Sequence, residues 1–330
     1  MADQEETRRT ALVTGFTGQD GSFITEILLG KGYDVIGLVR AGDDGHGLGF
    51  SEHLRGQVAL RHGDLLEPDT LGAAVEDVRP DELYHLAAPS FTPASWDRPG
   101  LTLAAIAGAT ASLLEAVRAS SPETRVFVAS SGAIFGAAND SPQREDTPCR
   151  PETPYATAKL AAHQLAGQIR AHDGLFVCSG ILYNHESERR PEHFVSRKIT
   201  RAAAAIKLGL ADHVVLGDLS AVRDWSFAGD VMHGVWLMLQ QAEPDDYILA
   251  SGVGHTVGDL AEIAFAHVGL VAGDYIRVDP ELVRAPETTR QVGDPSRARE
   301  RLGWRPELSF EQLIHRMVDA DLRALQAPSD

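Results

Sequence analysis

The chain has 330 residues, 43% of them apolar, and a formal net charge of −17. That length supports a large core in two lobes, and the acidic balance argues against a nucleic-acid surface and requires local arginines and lysines wherever an anion is held. No uninterrupted apolar run reaches the roughly 18 residues of a bilayer span, and Met1-Ala2-Asp3-Gln4-Glu5-Glu6 lacks the basic-then-apolar order of a signal peptide, so a cytoplasmic chain without a membrane partner is expected.

The apolar run Ala11–Thr14 meets three glycines at three-residue spacing in Thr14-Gly15-Phe16-Thr17-Gly18-Gln19-Asp20-Gly21. A segment with Phe23, Ile24, Ile27 and Leu28 on one helical face follows, and residues 34–39 read as a second strand. Strand, glycine turn, helix and strand make the βαβ unit of a dinucleotide site. Gly15 allows the tight turn, Gly18 lets a pyrophosphate approach the backbone, and Gly21 lets the helix pack on the strand. The free N–H groups of the helix start then face the phosphates. A purely structural α/β turn would carry the same glycines.

Strand and helix patterns keep alternating. Gln57–Arg61 reads as a strand followed by Gly63-Asp64-Leu65, Pro68–Val78 as a helix, and Glu82–Leu86 as a strand running into Ala87 and Ala88. Pro99–Ala119 reads as one long helix, Arg125–Ala129 as a strand ending in Ser130-Ser131-Gly132, Pro154–Ala171 as a helix, and Leu175–Ile181 as a strand. This alternation predicts an α/β fold, a Rossmann-type doubly wound parallel sheet with ligands beyond the strand C-termini. Cys149 and Cys178 have no metal-type spacing, so no metal site is expected, and Cys178 reads as inert core.

After residue 182 the texture changes. Tyr183–Pro191 is polar and loop-like, His193–Leu210 a helix rich in basic residues, Val214–Leu216 a short strand, Val231–Gln241 a helix, 278–294 mostly loop, and Phe310–Leu325 a closing helix. We expect a dinucleotide-binding domain over residues 1–182. Residues 183–330 should form mainly a smaller C-terminal substrate lobe, with some chain returning to the main sheet.

Tyr155 and Lys159 stand four apart on the 154–171 helix, hence on one face. A nearby ammonium favours the phenolate, and such a tyrosine can take a hydroxyl proton while hydride leaves the same carbon for a nicotinamide. Ser131, at a strand end, is placed to hydrogen-bond the same hydroxyl. A surface Tyr–Lys pair would look alike in isolation.

In these motifs the chain resembles an extended short-chain dehydrogenase/reductase, and within that superfamily it is most similar to the GDP-mannose 4,6-dehydratases. The matching stretches run from Thr14–Gly21 through Gly63-Asp64-Leu65, Leu86-Ala87-Ala88, Ala94-Ser95-Trp96, Pro154–Lys159, Leu182–Ser187, Phe194–Ile199 and Arg223-Asp224-Trp225 to Leu302-Gly303-Trp304. The resemblance implies a nucleotide-sugar substrate, GDP-linked by preference, oxidised at C4 by a bound nicotinamide cofactor, and a homodimer or homotetramer. It places Thr14, Gly15, Thr17, Gly18, Gln19, Asp20, Gly21, Arg40, Asp64, Leu65, Leu86, Ala87, Ala88, Tyr155, Lys159, Leu182, Asn184 and His185 at the cofactor. It places Ser90, Ser131, Asn184, Val195, Lys198, Leu216, Arg223, Arg284 and Glu287 at the substrate. Lys198, Arg223 and Arg284 are cations suited to a diphosphate.

Two departures matter. In the dehydratases the fifth strand ends Ser/Thr-Ser-Glu, and that glutamate handles the C5 proton; here the order is Ser131-Gly132-Ala133. Losing a positioned general base costs on the order of 10²–10⁴ in rate, whereas C4 oxidation keeps Ser131, Tyr155 and Lys159. Such a pocket resembles the UDP-galactose 4-epimerase type, so C4 epimerisation ranks first. A 4,6-dehydratase with a displaced acid/base (Glu145, Asp146, Glu186 or Glu188) ranks second, then a 4-keto-sugar reductase, then a non-catalytic nucleotide-binding protein. The second departure is Arg40-Ala41-Gly42-Asp43-Asp44, where the dehydratases carry paired arginines for a 2′-phosphate. Asp43 and Asp44 suit ribose hydroxyls, which favours NAD, with NADP open.

Overall fold

A computed structural model describes residues 8–42, 47–136, 141–282 and 290–327. Its centre is a seven-stranded sheet of β1 (Thr10–Thr14), β2 (Asp34–Val39), β3 (Ala59–His62), β4 (Glu82–His85), β5 (Arg125–Ser131), β6 (Val177–Leu182) and β10 (Tyr247–Leu249). The spatial order is 3-2-1-4-5-6-10 and every pairing is parallel. The expected doubly wound sheet is therefore present. Strands such as Thr10-Ala-Leu-Val-Thr14 are apolar without alternation because helices cover both faces.

Helix α1 (Gln19–Gly30) and α7 (Ala228–Leu239) cover one face, where Phe23, Ile24 and Leu28 meet Val231, Met232 and Val235. The other face carries α2 (Pro68–Val78), the pair α3 (Pro99–Leu103) and α4 (Ala109–Ser120), and α5 (Pro154–Asp173). The predicted single helix over 99–119 is interrupted by a π-helical segment, Ala104–Gly108. Pro99–Ser120 is long and apolar enough to cross a membrane by composition, at mean hydropathy 1.6. Here Ile106, Leu113, Leu114 and Val117 instead bury against Leu71 and Val75 of α2 and Ala158 and Ala162 of α5. Cys178 is buried in β6, and burial pushes its thiol up to about 12, in keeping with inert core.

The second half builds a smaller layer. β7 (Asn184–Glu186), β9 (Val222–Phe227) and β11 (Gly254–Thr256) form a mixed sheet, and β8 (Val214–Leu216) pairs with β12 (Ile276–Val278). Helices α6 (Val195–Lys207), α8 (Val257–His267) and α11 (Phe310–Gln326) pack around Trp225, Ile199, Leu260 and Ile314. The short α9 (Ala272–Tyr275) and α10 (Ser296–Leu302) complete the chain. Capping boxes at Thr256/Asp259 and Ser309/Gln312 start α8 and α11. Several elements escaped the sequence pattern, α8, α10, β11 and β12 among them. The polar 184–186 segment is a strand because it pairs in parallel with β9, β9 itself was not expected, and β10 joins the main sheet with three residues only.

Strand order reverses between β1 and β4, since β1 leads outward to β2 and β4 leads the other way to β5 and β6. A crevice opens beyond the strand ends at such a point.

Candidate active site

Thr14, the last residue of β1, stitches that reversal together. Its Oγ1 accepts N–H bonds from Leu86 and Ala87, both at 3.1 Å, and donates to His85 Nδ1 at 2.9 Å. One hydroxyl thus uses its donor and both acceptors. Burial, helped by the Lys159 charge, drops the His85 imidazole to about 3, so it stays neutral. Because an unfolded His85 would bind a proton near 6.5 and the folded one only near 3, the unfolded state binds more protons in between and stability falls as pH drops through that window. His85→Gln should blunt this loss by about 2–3 kcal/mol at about pH 4.5. Urea unfolding near neutrality and at the lower pH checks it; equal acid loss in both proteins would remove His85 from the cause.

Gly15 has φ +72°, and a Cβ there would lie 2.8 Å from Ala87 N; a Cβ on Gly21 would lie 2.1 Å from the Gly15 carbonyl oxygen. Both glycines are therefore demanded by packing alone. Helix α1 starts at Gly18 with extended backbone and no side-chain cap. Its first N–H groups accordingly have no side-chain acceptor, the donor set that suits a pyrophosphate. The turn fits a dinucleotide.

One cleft of about 740 Å³ lies over these strand ends. Of the residues singled out from sequence, Asp20, Leu86, Ala88, Ser90, Ser131, Tyr155, Lys159, Leu182, Asn184, His185, Val195, Lys198, Leu216 and Arg223 line it. Thr14, Gly15, Thr17, Gly18, Gln19, Gly21, Arg40, Asp64, Leu65 and Ala87 are not on its wall; they sit in or beside the turns that follow β1 to β4. Asp43, Asp44, Arg284 and Glu287 lie outside the described residues.

Helix α5 presents the catalytic candidates. Thr153 caps it by accepting from Ala156 N at 3.1 Å, Pro154 occupies its first turn, and Gly174 ends it in a left-handed conformation. Lys159 is buried and donates from Nζ to the Ala129 carbonyl at 2.7 Å. Burial lowers its ammonium to about 8, with Asp20 pulling the other way. The expected lowering of the tyrosine is not found. Burial raises Tyr155, and the opposing influences are its hydrogen bond with Ser131 and the charge of Arg190. The reason is geometric: Lys159 Nζ is 5.9 Å from the Tyr155 ring centre and is turned to Ala129. Ser131 Oγ also accepts from Ala133 N at 3.2 Å.

Asp20 and His185 form a half-buried pair on the cleft wall, Oδ2 to Nε2 at 2.9 Å, while His185 Nδ1 donates to the Tyr183 carbonyl at 2.7 Å. Both ring nitrogens donate, so the imidazole is charged; burial opposes this, and Asp20 outweighs it and raises the histidine. Asp20 in turn is brought to about 2, burial being overcome by His185 and by Gln19. Gln19 donates to the His185 carbonyl at 3.1 Å and accepts from Ser187 at 2.7 Å, and Arg189 pairs with Glu26 at 2.7 Å. The 184–190 segment is thereby tied to α1.

None of the carboxylates considered for the Ala133 position is on the cleft wall. Glu145 accepts from Ile248 N, Asp146 pairs with Arg144, Glu186 accepts from Ser196 at 2.5 Å, and Glu188 holds Arg316 at 2.7 and 2.9 Å. The acidic residues that do line it, among the described residues, are Asp20 and Glu152. Glu152 and Arg190 are among the cleft residues that sequence reasoning missed, as are His193, Phe194 and Gln291. Arg190 stacks on Phe194, 3.6 Å from the ring centre, and pairs with Glu186 at 3.1 Å. Its only sequence signal was the Arg189-Arg190 pair after Asn184-His185-Glu186-Ser187.

The sequence model of GDP-mannose 4,6 dehydratase matches residues 12–317. GDP-mannose 4,6 dehydratase 2 of Arabidopsis thaliana is 43% identical over 333 residues, covering 96% of this chain and 88% of that protein. Among solved structures, the UDP-glucose 4-epimerase of Thermus thermophilus in complex with NAD superposes with a TM-score of 0.81 at 27% identity, covering 94% of this chain and 98% of the other. The protein RMD of Pseudomonas aeruginosa complexed with NADPH gives a TM-score of 0.81 at 26% identity, covering 96% and 99%.

Proposed function

This chain belongs to the GDP-mannose 4,6 dehydratase family, and from that premise we propose that it oxidises a GDP-linked sugar at C4 and returns it as the C4 epimer. It is an NAD(P)-dependent enzyme of nucleotide-sugar modification. The observation that carries the finer reading is the cleft itself: Ser131, Tyr155 and Lys159 share one wall with Ala133, and the family's proton-handling carboxylate is a methyl group there.

The glycine turn and the start of α1 would hold the cofactor's pyrophosphate, with Asp64 and Leu65 toward its adenosine and Tyr155 and Lys159 toward its nicotinamide. The chemistry a bound NAD(P) would supply is reversible acceptance of a hydride from C4. Tyr155 takes the C4 hydroxyl proton and returns it, with Ser131 hydrogen-bonded to the same oxygen. Lys159, buried and brought to about 8, holds its charge at neutral pH and would favour the tyrosine's developing negative charge from one turn away. NAD is the favoured form, on the acidic Asp43 and Asp44.

Lys198 and Arg223 are cleft cations in a chain of net charge −17, and they clamp the substrate diphosphate together with Arg284. Arg223→Ala is expected to raise the substrate KM about 10- to 100-fold, since a charged hydrogen bond is worth about 1.5–3 kcal/mol. An unchanged KM for every nucleotide sugar that reacts would overturn the clamp.

The family's name supports a second reading, 4,6-dehydration with a displaced acid/base. Incubation with GDP-, UDP-, ADP- and dTDP-sugars, followed by product mass and stereochemistry, separates the two. An epimer of unchanged mass supports the first; loss of one water supports the second.

A further inference from the structure

The two cleft carboxylates differ in how their charge is met. Asp20 is neutralised by the His185 imidazolium. Glu152 is exposed, lines the cleft, and takes neither a hydrogen bond nor an ion pair from any described residue. Its place is nevertheless fixed. Arg150 N donates to the Ile134 carbonyl at 3.0 Å. Gly136 has φ +50°, and a Cβ there would stand 1.8 Å from the Arg150 carbonyl oxygen and 3.2 Å from Glu152 Cγ. Residues 150–152 therefore lie directly against the turn Gly132–Phe135 that carries Ala133. Thr153 and Pro154 then start α5 directly after Glu152. The result is a charged carboxylate beside Ala133 and three residues before Tyr155, at the end of the cleft where the sugar is oxidised.

A carboxylate without a counter-charge in a ligand cleft accepts hydrogen bonds from hydroxyl groups and repels a second carboxylate. We propose that Glu152 is a specificity-determining residue of the sugar subsite, accepting hydrogen bonds from the hydroxyls of a neutral nucleoside-diphosphate hexose and excluding the corresponding hexuronate. This rests on the nucleotide-sugar reading of the cleft. It goes beyond that reading in fixing the charge of the sugar.

The test compares wild type and Glu152→Gln, both as holoenzyme, by titration calorimetry with GDP-mannose and GDP-mannuronate, or with UDP-glucose and UDP-glucuronate if the panel selects uridine. Wild type should bind the uronate at least about tenfold more weakly than the hexose, the scale of one charged contact. Glu152→Gln should bring the two within about threefold, and Glu152→Ala should do the same without an isosteric acceptor. An unchanged ratio in both variants, or no discrimination by wild type, overturns the proposal. Loss of turnover in Glu152→Gln with both affinities unchanged also overturns it, because the carboxylate would then move a proton instead of selecting the sugar. Binding of no nucleotide sugar by wild type would sink the parent reading itself, an outcome distinct from all of these.

Discussion

Tyr155→Phe is expected to lose turnover by about 10²–10⁴, the usual contribution of a positioned proton-transfer group, while cofactor affinity stays near that of the wild type. The substitution removes one oxygen and leaves the ring, which packs against the cluster containing Ala158 and Ala162. The fold therefore keeps its packing, and the loss falls on chemistry. Burial raises the Tyr155 phenol, so the hydroxyl enters the reaction protonated unless the bound ligands change its surroundings. It must lose that proton before it can take the one from C4, and Lys159, charged and donating to the Ala129 carbonyl, does not accept it. Arg190 is the cation whose charge already favours the phenolate, and Asp20 opposes it. The measurement is single-turnover rate on whichever nucleotide sugar reacts, with cofactor content read from absorbance and fluorescence. Near-normal turnover would take Tyr155 out of the mechanism; lost cofactor binding with lost turnover would assign it to holding the cofactor.

The glycine turn, the βαβ unit and the Tyr155–Lys159 face were legible because each depends on local spacing. Three glycines, an apolar run and a four-residue offset survive any change of neighbours. What was illegible depends on distant partners. Asn184–Glu186 is polar and becomes a strand only because β9 lies beside it, and Tyr247–Leu249 is too short to show a period before it meets β6. Lys159 was correctly placed on the tyrosine's helix face, yet its amine turns to the Ala129 carbonyl, a choice no spacing encodes. The same holds for carboxylates. Glu145, Glu186 and Glu188 are near Ala133's neighbours in sequence or in motif, but each is committed to another partner. Glu152 reaches the cleft wall because Gly136 admits the 150–152 segment.

The stronger test of the proposed reaction follows the hydrogen at C4. After oxidation the 4-keto group acidifies the C5 hydrogen. A dehydratase exploits this: a carboxylate takes the C5 proton, the C6 hydroxyl leaves as water, and the hydride is delivered to C6. Where the family holds that carboxylate this chain has Ala133, which can neither take nor give a proton. The keto sugar should persist, turn over in the cleft, and be reduced on its other face. With substrate deuterated at C4, the label should return to C4 of a product with unchanged mass. Label at C6 with the loss of one water would overturn the epimerase reading and hand the missing role to another carboxylate. Ala133→Glu should then open some 4,6-elimination in an otherwise unchanged cleft, on the scale of the 10²–10⁴ or so that one general base supplies. The neighbouring Gly132→Ser, which would restore the family's full strand end, works against the experiment. A Cβ on Gly132 would meet the Tyr183 ring at 3.0–3.2 Å, and that ring is buried and hydrogen-bonded to Gln143 at 2.8 Å. The single substitution is thus the cleaner probe. A water-loss product from Ala133→Glu with none from wild type would tie the difference in reaction to one side chain, whereas elimination by wild type at a similar rate would show that Ala133 does not decide it.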